Sequence, residues 1–164
     1  GIFKPAATSL HLSAMLSNVT RRGMMTFTGG CLCGSIRYEI QRKHLNAIHC
    51  YCAMCRKAHG TAFSTHVITR PDQLVWAQGK ELLKSYESSP NAYREFCERC
   101  GTHILVHGQT GDDTPAIPAG TLDGDPALTI VGHMYTENQI SWFTISDYLP
   151  QHPQWPPGLG PVAK

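Results

Sequence analysis

The sequence predicts a mainly β domain of antiparallel sheets with short helical turns, stapled together by metal. Three observations carry that expectation: short runs that alternate apolar and polar residues, turn-rich spacers between them, and seven cysteines in three tight groups. Ile36, Tyr38 and Ile40 alternate with Arg37, Glu39 and Gln41, as a strand with one wet face requires. Comparable runs occupy Ala62–Thr69, Gln73–Ala77, Leu82–Glu87, Ala92–Phe96 and Thr102–His107. Arg70-Pro71-Asp72, Ser88-Ser89-Pro90-Asn91 and Gly108–Pro115 separate them with turn chemistry. No long stretch keeps a helical period, and the best candidate for a helix is one short turn at Ala53–His59.

A chain of 164 residues corresponds to one domain of roughly 150 residues plus a tail. Hydrophobic residues make up 41% and charged residues 16%, a balance that supports a buried core and excludes a disordered chain. The net charge of +2 is too small for a nucleic-acid footprint. No apolar run approaches the roughly 18–20 residues of a membrane-spanning helix. Residues 1–24 are set aside as an upstream extension or expression remnant: no acidic residue occurs before Glu39, and Met24-Met25 stands just ahead of the first strand-like residues. The domain then runs over residues 25–150, and residues 151–164 form a Pro-rich tail.

The cysteines fall at 31 and 33, at 50, 52 and 55, and at 97 and 100. An odd number, clustered, with no convincing secretory leader, points to metal thiolates rather than disulfides and to a reducing compartment, the cytoplasm. Cys-x-Cys and Cys-x-x-Cys spacings let neighbouring sulfurs converge on one tetrahedral zinc. Cys97-Glu98-Arg99-Cys100-Gly101 has the form of a zinc knuckle, with a glycine free to make the turn. Cys31 and Cys33 can supply its two missing ligands from far along the chain, giving a closed structural site. Cys50, Cys52 and Cys55 then offer three thiolates and leave a fourth position for water or substrate, the arrangement of a catalytic site. The alternative is a second structural site, completed by His49, His59 or another of the nine histidines.

Zinc with three thiolates carries a net charge of −1, which suits it poorly to making hydroxide. Such an ion can still ionise an incoming thiol, whose ordinary pKa is about 8.5. Arg56 and Lys57 follow Cys55 directly and offer either solvated surface charges or support for an anionic ligand. His49 and His59 are candidate proton carriers or plain structural histidines.

Gly29-Gly30-Cys31-Leu32-Cys33-Gly34 with Arg37-Tyr38, the segment Cys50–Lys57 with Gly60, and Phe96–Thr102 together resemble the glutathione-dependent formaldehyde-activating family, whose domain is shared with centromere protein V. Gly120–Asp123, His133, Trp142 and Asp147–Pro150 extend the resemblance to roughly residues 26–150. The resemblance implies a β-tent fold and two zinc ions per chain. It places a structural zinc on Cys31, Cys33, Cys97 and Cys100 and a catalytic zinc on Cys50, Cys52 and Cys55, in agreement with the spacing. It further implies condensation of formaldehyde with glutathione to S-hydroxymethylglutathione, a carbon–sulfur lyase reaction in reverse. The expected partners are therefore a small thiol such as glutathione and an aldehyde, in a chain that is monomeric or a homo-oligomer. One departure is Tyr51, where family members often carry His between the first two catalytic-site cysteines.

Two rival readings keep the metal and drop the chemistry. In one, both ions are structural and the β surface binds another protein. In the other, the three-cysteine site is a redox or metal sensor that releases zinc on oxidation.

Overall fold

The computed structural model describes residues 19–20, 23–108 and 113–159. Among the described residues, twelve strands and one α-helix follow one another as β1 (Val19–Thr20), β2 (Met24–Gly30), β3 (Arg37–Arg42), β4 (Leu45–Cys50), α1 (Ala53–His59), β5 (Ser64–Ile68), β6 (Leu74–Gln78), β7 (Leu83–Ser89), β8 (Ala92–Cys97), β9 (His103–His107), β10 (Ala116–Pro118), β11 (Leu128–Met134) and β12 (Gln151–His152), with four short 3-10 turns between them. The expected strand runs all fall on observed strands, and the helix occupies the expected residues. The fold is mainly β.

Four strands form a small sheet in the order β1-β2-β3-β6, and the other eight form a sheet in the order β12-β11-β4-β5-β10-β9-β8-β7. Pairing is antiparallel except around β11, which runs parallel to both β4 and β12. The larger sheet is thus mixed where an antiparallel one was expected. A parallel pair needs a long connection, and here the whole of β5 to β10 lies between β4 and β11.

Burial follows the strand period. In β3, Tyr38 and Ile40 are buried while their neighbours are partly exposed, and in β8 Ala92 and Arg94 point inward. Ile36, Tyr38, Ile40, Leu45, Val67 and Ile117 form the centre of one core shared by the two sheets. A second, smaller core contains Ile48, Cys50, Cys52, Cys55 and Met134, with Trp155 and Leu159 of the tail packed against it.

Around Tyr38 the sheets are locked together by polar contacts. Its hydroxyl donates to Thr121 Oγ1 over 2.7 Å, and Thr121 in turn donates to the Pro118 carbonyl. Burial pushes the Tyr38 phenol up to about 12, so it stays a neutral donor. Arg37 pairs with Asp123, which also accepts from the Thr28 hydroxyl. These contacts need close backbone approach at Gly29, where an added Cβ would collide with the Tyr38 ring and the Thr121 carbonyl.

The expected boundaries at 24 and 151 fall inside paired elements. Met24 and Met25 pair with Thr20 and Val19, and Gln151 and His152 extend β11. Residues 1–18 and 21–22 of the proposed extension and 160–164 of the tail lie outside the described residues. Gly29→Ala is expected to destabilise the protein by about 1–3 kcal/mol through overpacking. Urea unfolding of the metal-replete protein measures it; an unchanged midpoint would show that the sheets can separate without cost at this point.

Candidate metal centres and the adjoining cavity

The sulfurs of Cys31, Cys33, Cys97 and Cys100 all lie within 4.8 Å of one another. Cys31 and Cys33 sulfurs are 3.4 Å apart, and Cys33 and Cys97 sulfurs 3.9 Å. A zinc–sulfur distance of 2.3 Å in a tetrahedron gives sulfur–sulfur edges of about 3.8 Å, so this donor set has the size and softness zinc requires. Two turns build it. Gly34 donates to the Cys31 carbonyl at 2.9 Å, and Gly101, at φ 72°, donates to the Cys97 carbonyl at 2.8 Å. Thr102 joins the turns, accepting from the Leu32 amide while its hydroxyl lies 3.2 Å from Cys100 Sγ. That hydroxyl is the main reason the Cys100 thiol is held down to about 5. A low thiol pKa favours the thiolate that a metal needs.

The second group is local. β4 ends at Cys50, and the Tyr51 amide donates to the Met134 carbonyl of β11 at 3.0 Å. Cys52 caps α1: its sulfur accepts the Cys55 amide at 3.3 Å, and its carbonyl accepts the Arg56 amide. A thiol here replaces the oxygen side chain usual at such a cap. Gly60, at φ 63°, ends the helix after two turns. The three sulfurs, all buried, lie within 4.8 Å of one another and fit a metal ion as the first group does. Among the described residues no histidine nitrogen lies within 4.8 Å of all three sulfurs, although the His66 ring hydrogen-bonds Cys55. Within the trio, Cys55 is held low by hydrogen bonds from Cys50 and Cys52, and Cys50 is pushed up correspondingly.

Behind the trio stands a cation that sequence reasoning missed. Arg94 is 3% exposed and donates from Nη2 to Cys55 Sγ at 3.7 Å. Its signal was present: it shares the inward phase of β8 with Ala92, and an inward charge needs an opposite one close by. Arg56 and Lys57, the expected cations, are placed elsewhere. Arg56 donates to the Tyr51 carbonyl at 3.1 Å and Lys57 is exposed.

Tyr51 has a well-defined setting. Asp147 accepts from His133 Nε2 at 2.9 Å, which leaves His133 Nδ1 to accept the Tyr51 hydroxyl at 3.0 Å. The Leu149 amide and then His133 hold Asp147 below the usual carboxylate range. Tyr51 also packs on Phe63, with ring centres 5.2 Å apart. This chain of contacts pins the cysteine loop at Tyr51. His133 and Asp147 were visible only as parts of the resemblance.

A cavity of about 350 Å³ opens on Cys50, Cys52 and Cys55 and reaches none of the other four cysteines. His66 lines it as well, with Nε2 2.6 Å from Ser64 Oγ. His49 and His59 do not. His49 bonds Thr65 at 2.8 Å, and His59 stacks against His66 and His103.

Residues 26–138 match the family described as glutathione-dependent formaldehyde-activating enzyme. The chain belongs to that family. A Halomonas elongata protein, provisionally named a glutathione-dependent formaldehyde-activating enzyme, is 29% identical over 130 residues, covering 74% of this chain and 82% of that one. The crystal structure of a Rhodobacter sphaeroides protein matches with a TM-score of 0.50 at 22% identity, over 62% of this chain and 99% of that one, which shows a shared fold. No helix among the described residues is long and apolar enough to cross a membrane.

Two predictions follow from the site of this family member. Arg94→Met is expected to weaken zinc binding at one of two sites by about 10–100-fold, the usual effect of losing a group that supports a ligand. Competition with a chromogenic chelator reads it, and Arg94→Lys should restore part of the loss. Burial also holds His49, His59 and His103 low, His59 at about 4. The unfolded chain protonates these rings near 6.5, so it binds more protons than the folded chain between about 6.5 and 4. Their contribution is intact above that window and is lost as pH falls through it. Urea midpoints from pH 7.5 to 4.5 should show the fall, with a shallower slope in His59→Gln.

Proposed function

We propose that this chain is a zinc-dependent enzyme of carbon–sulfur lyase type that makes or breaks thiol–aldehyde adducts, as S-(hydroxymethyl)glutathione synthase does. Cys31, Cys33, Cys97 and Cys100 hold a structural zinc; Cys50, Cys52 and Cys55 hold the zinc at which substrate is handled. The single observation that supports this division is the cavity that ends on the three sulfurs and leaves the four untouched. Family membership supports the substrate chemistry, glutathione with formaldehyde.

A zinc ion held there would supply ionisation of the substrate thiol. In the forward direction the thiol sulfur adds to the aldehyde carbon. A C–S bond forms, the carbonyl π pair moves to oxygen, and the proton lost by the thiol ends on that oxygen. Reversal expels the thiol and regenerates the aldehyde. Arg94 offsets the negative charge of the three thiolates. His66 and His107 are the imidazoles on the cavity wall, and His66, which hydrogen-bonds Cys55, is the group placed to carry the proton, the role first considered for His49 or His59. The cavity walls hold the two reactants side by side, and proximity contributes much of the expected rate.

Small thiols add to formaldehyde unaided, so the test is kinetic. The zinc-replete chain should speed the approach to equilibrium of at least one thiol–aldehyde pair by about 100-fold or more. Cys50→Ser should abolish that acceleration, lose one of two zinc ions and keep the wild-type circular dichroism spectrum. An unaltered approach to equilibrium over a panel of thiols and aldehydes would overturn the reading. Global unfolding of Cys50→Ser would favour a purely structural role for both ions.

A further inference from the structure

The cavity has a chemical character that the glutathione reading does not account for. Apart from the three sulfurs, its walls are mostly apolar, with Ile48, Ile68, Val106 and Met134 from the large sheet and Trp155 and Leu159 from the tail; His66, His107, Thr114, Tyr135 and Asn138 are the polar members of the lining, and none of them carries a permanent charge. The tail is fixed in place rather than draped over the opening. The Tyr135 amide donates to the Gln154 carbonyl at 3.1 Å, and the Tyr135 and Trp155 rings meet edge to face at 5.6 Å.

No lysine or arginine lines the cavity among the described residues. Arg94 stands behind Cys55 and is engaged with its sulfur, and Arg56 is engaged with the Tyr51 carbonyl. The formal charges near the wall have the wrong sign for an anion: His107 is bonded to Glu95 at 3.0 Å and to Asp113 at 2.6 Å. Glutathione carries two carboxylates, and a carboxylate entering such a site loses water without gaining a cation. An uncharged carbon skeleton gains contact with the aliphatic and indole walls.

Resting on the reading above, we propose that the thiol handled in this cavity is uncharged and apolar, an alkyl or aryl thiol and its aldehyde adduct, rather than an anionic peptide thiol.

Two measurements on the full zinc-replete chain test it. In the first, acceleration of adduct formation with formaldehyde is compared for benzyl mercaptan and glutathione; kcat/KM should favour benzyl mercaptan by about tenfold or more. In the second, binding of benzyl alcohol, which has the ring without the thiol, is followed by calorimetry. It should saturate in the wild type and weaken at least about tenfold in Ile68→Arg and in Leu159→Lys, which place a cation on two different walls. Leu159→Lys lies near the described end of the chain, so its folding is expected to survive even where Ile68→Arg fails. Equal or better turnover of glutathione overturns the apolar class and leaves the enzymatic reading standing. No acceleration with any thiol overturns the enzymatic reading, and benzyl alcohol binding then decides the class alone: saturable and variant-sensitive binding supports it, and absence of binding overturns it.

Discussion

Seven thiol groups packed into two clusters create a concentration of potential negative charge that the rest of the molecule has to balance. Within each cluster the sulfurs lie no more than 4.8 Å apart, and three of them are pushed into a buried pocket of the larger sheet. Sulfurs at such distances repel one another when ionised, so the folded arrangement is stable only with protons shared among them or with cations close by. The local architecture follows from that requirement. Arg94 is buried where an arginine is rarely found, against Cys55. The Thr102 hydroxyl and the Ser35 hydroxyl stand beside Cys100 and Cys33 at the other cluster. Zinc fits both donor sets, and the backbone turns that present them are complete within the chain itself.

The two clusters are built by different means. One joins segments 64 residues apart, from Cys33 to Cys97, and so fastens the turn after β2 to the end of β8. The other is made within six residues, on a loop held by the Tyr51–His133–Asp147 contacts and by Arg94 against Cys55. The first resembles a rivet between distant strands. The second is a fixed platform facing a cavity, and rigidity there serves to hold the sulfurs in position whatever the cavity contains.

Much of this was legible in the residues. Alternation in β3 and β8, the proline and asparagine spacers, and the cysteine spacing each report a local rule, and each led to the element found. The parallel ladder of β4 and β11 was not, because pairing between distant segments leaves no period in either one, and Gly132 with the bulge between Ile130 and His133 interrupts the run in β11. The buried cation was missed for a related reason. Arg56 and Lys57 are adjacent to Cys55 in sequence, but helix geometry turns them away, whereas Arg94 arrives from a strand 39 residues later. Proximity along the chain is a poor guide to electrostatics once strands from different parts meet.

The cavity wall is assembled from two regions of the chain. The cysteines of both candidate metal centres lie inside the segment matched by the family, residues 26–138, whereas Trp155 and Leu159 lie beyond it. The seven sulfurs and most of the wall thus belong to the matched segment, while one part of the wall is supplied by the terminal stretch. Change in the terminal stretch can retune what enters without disturbing the thiolate geometry, so relatives with the same sulfur arrangement can serve dissimilar molecules.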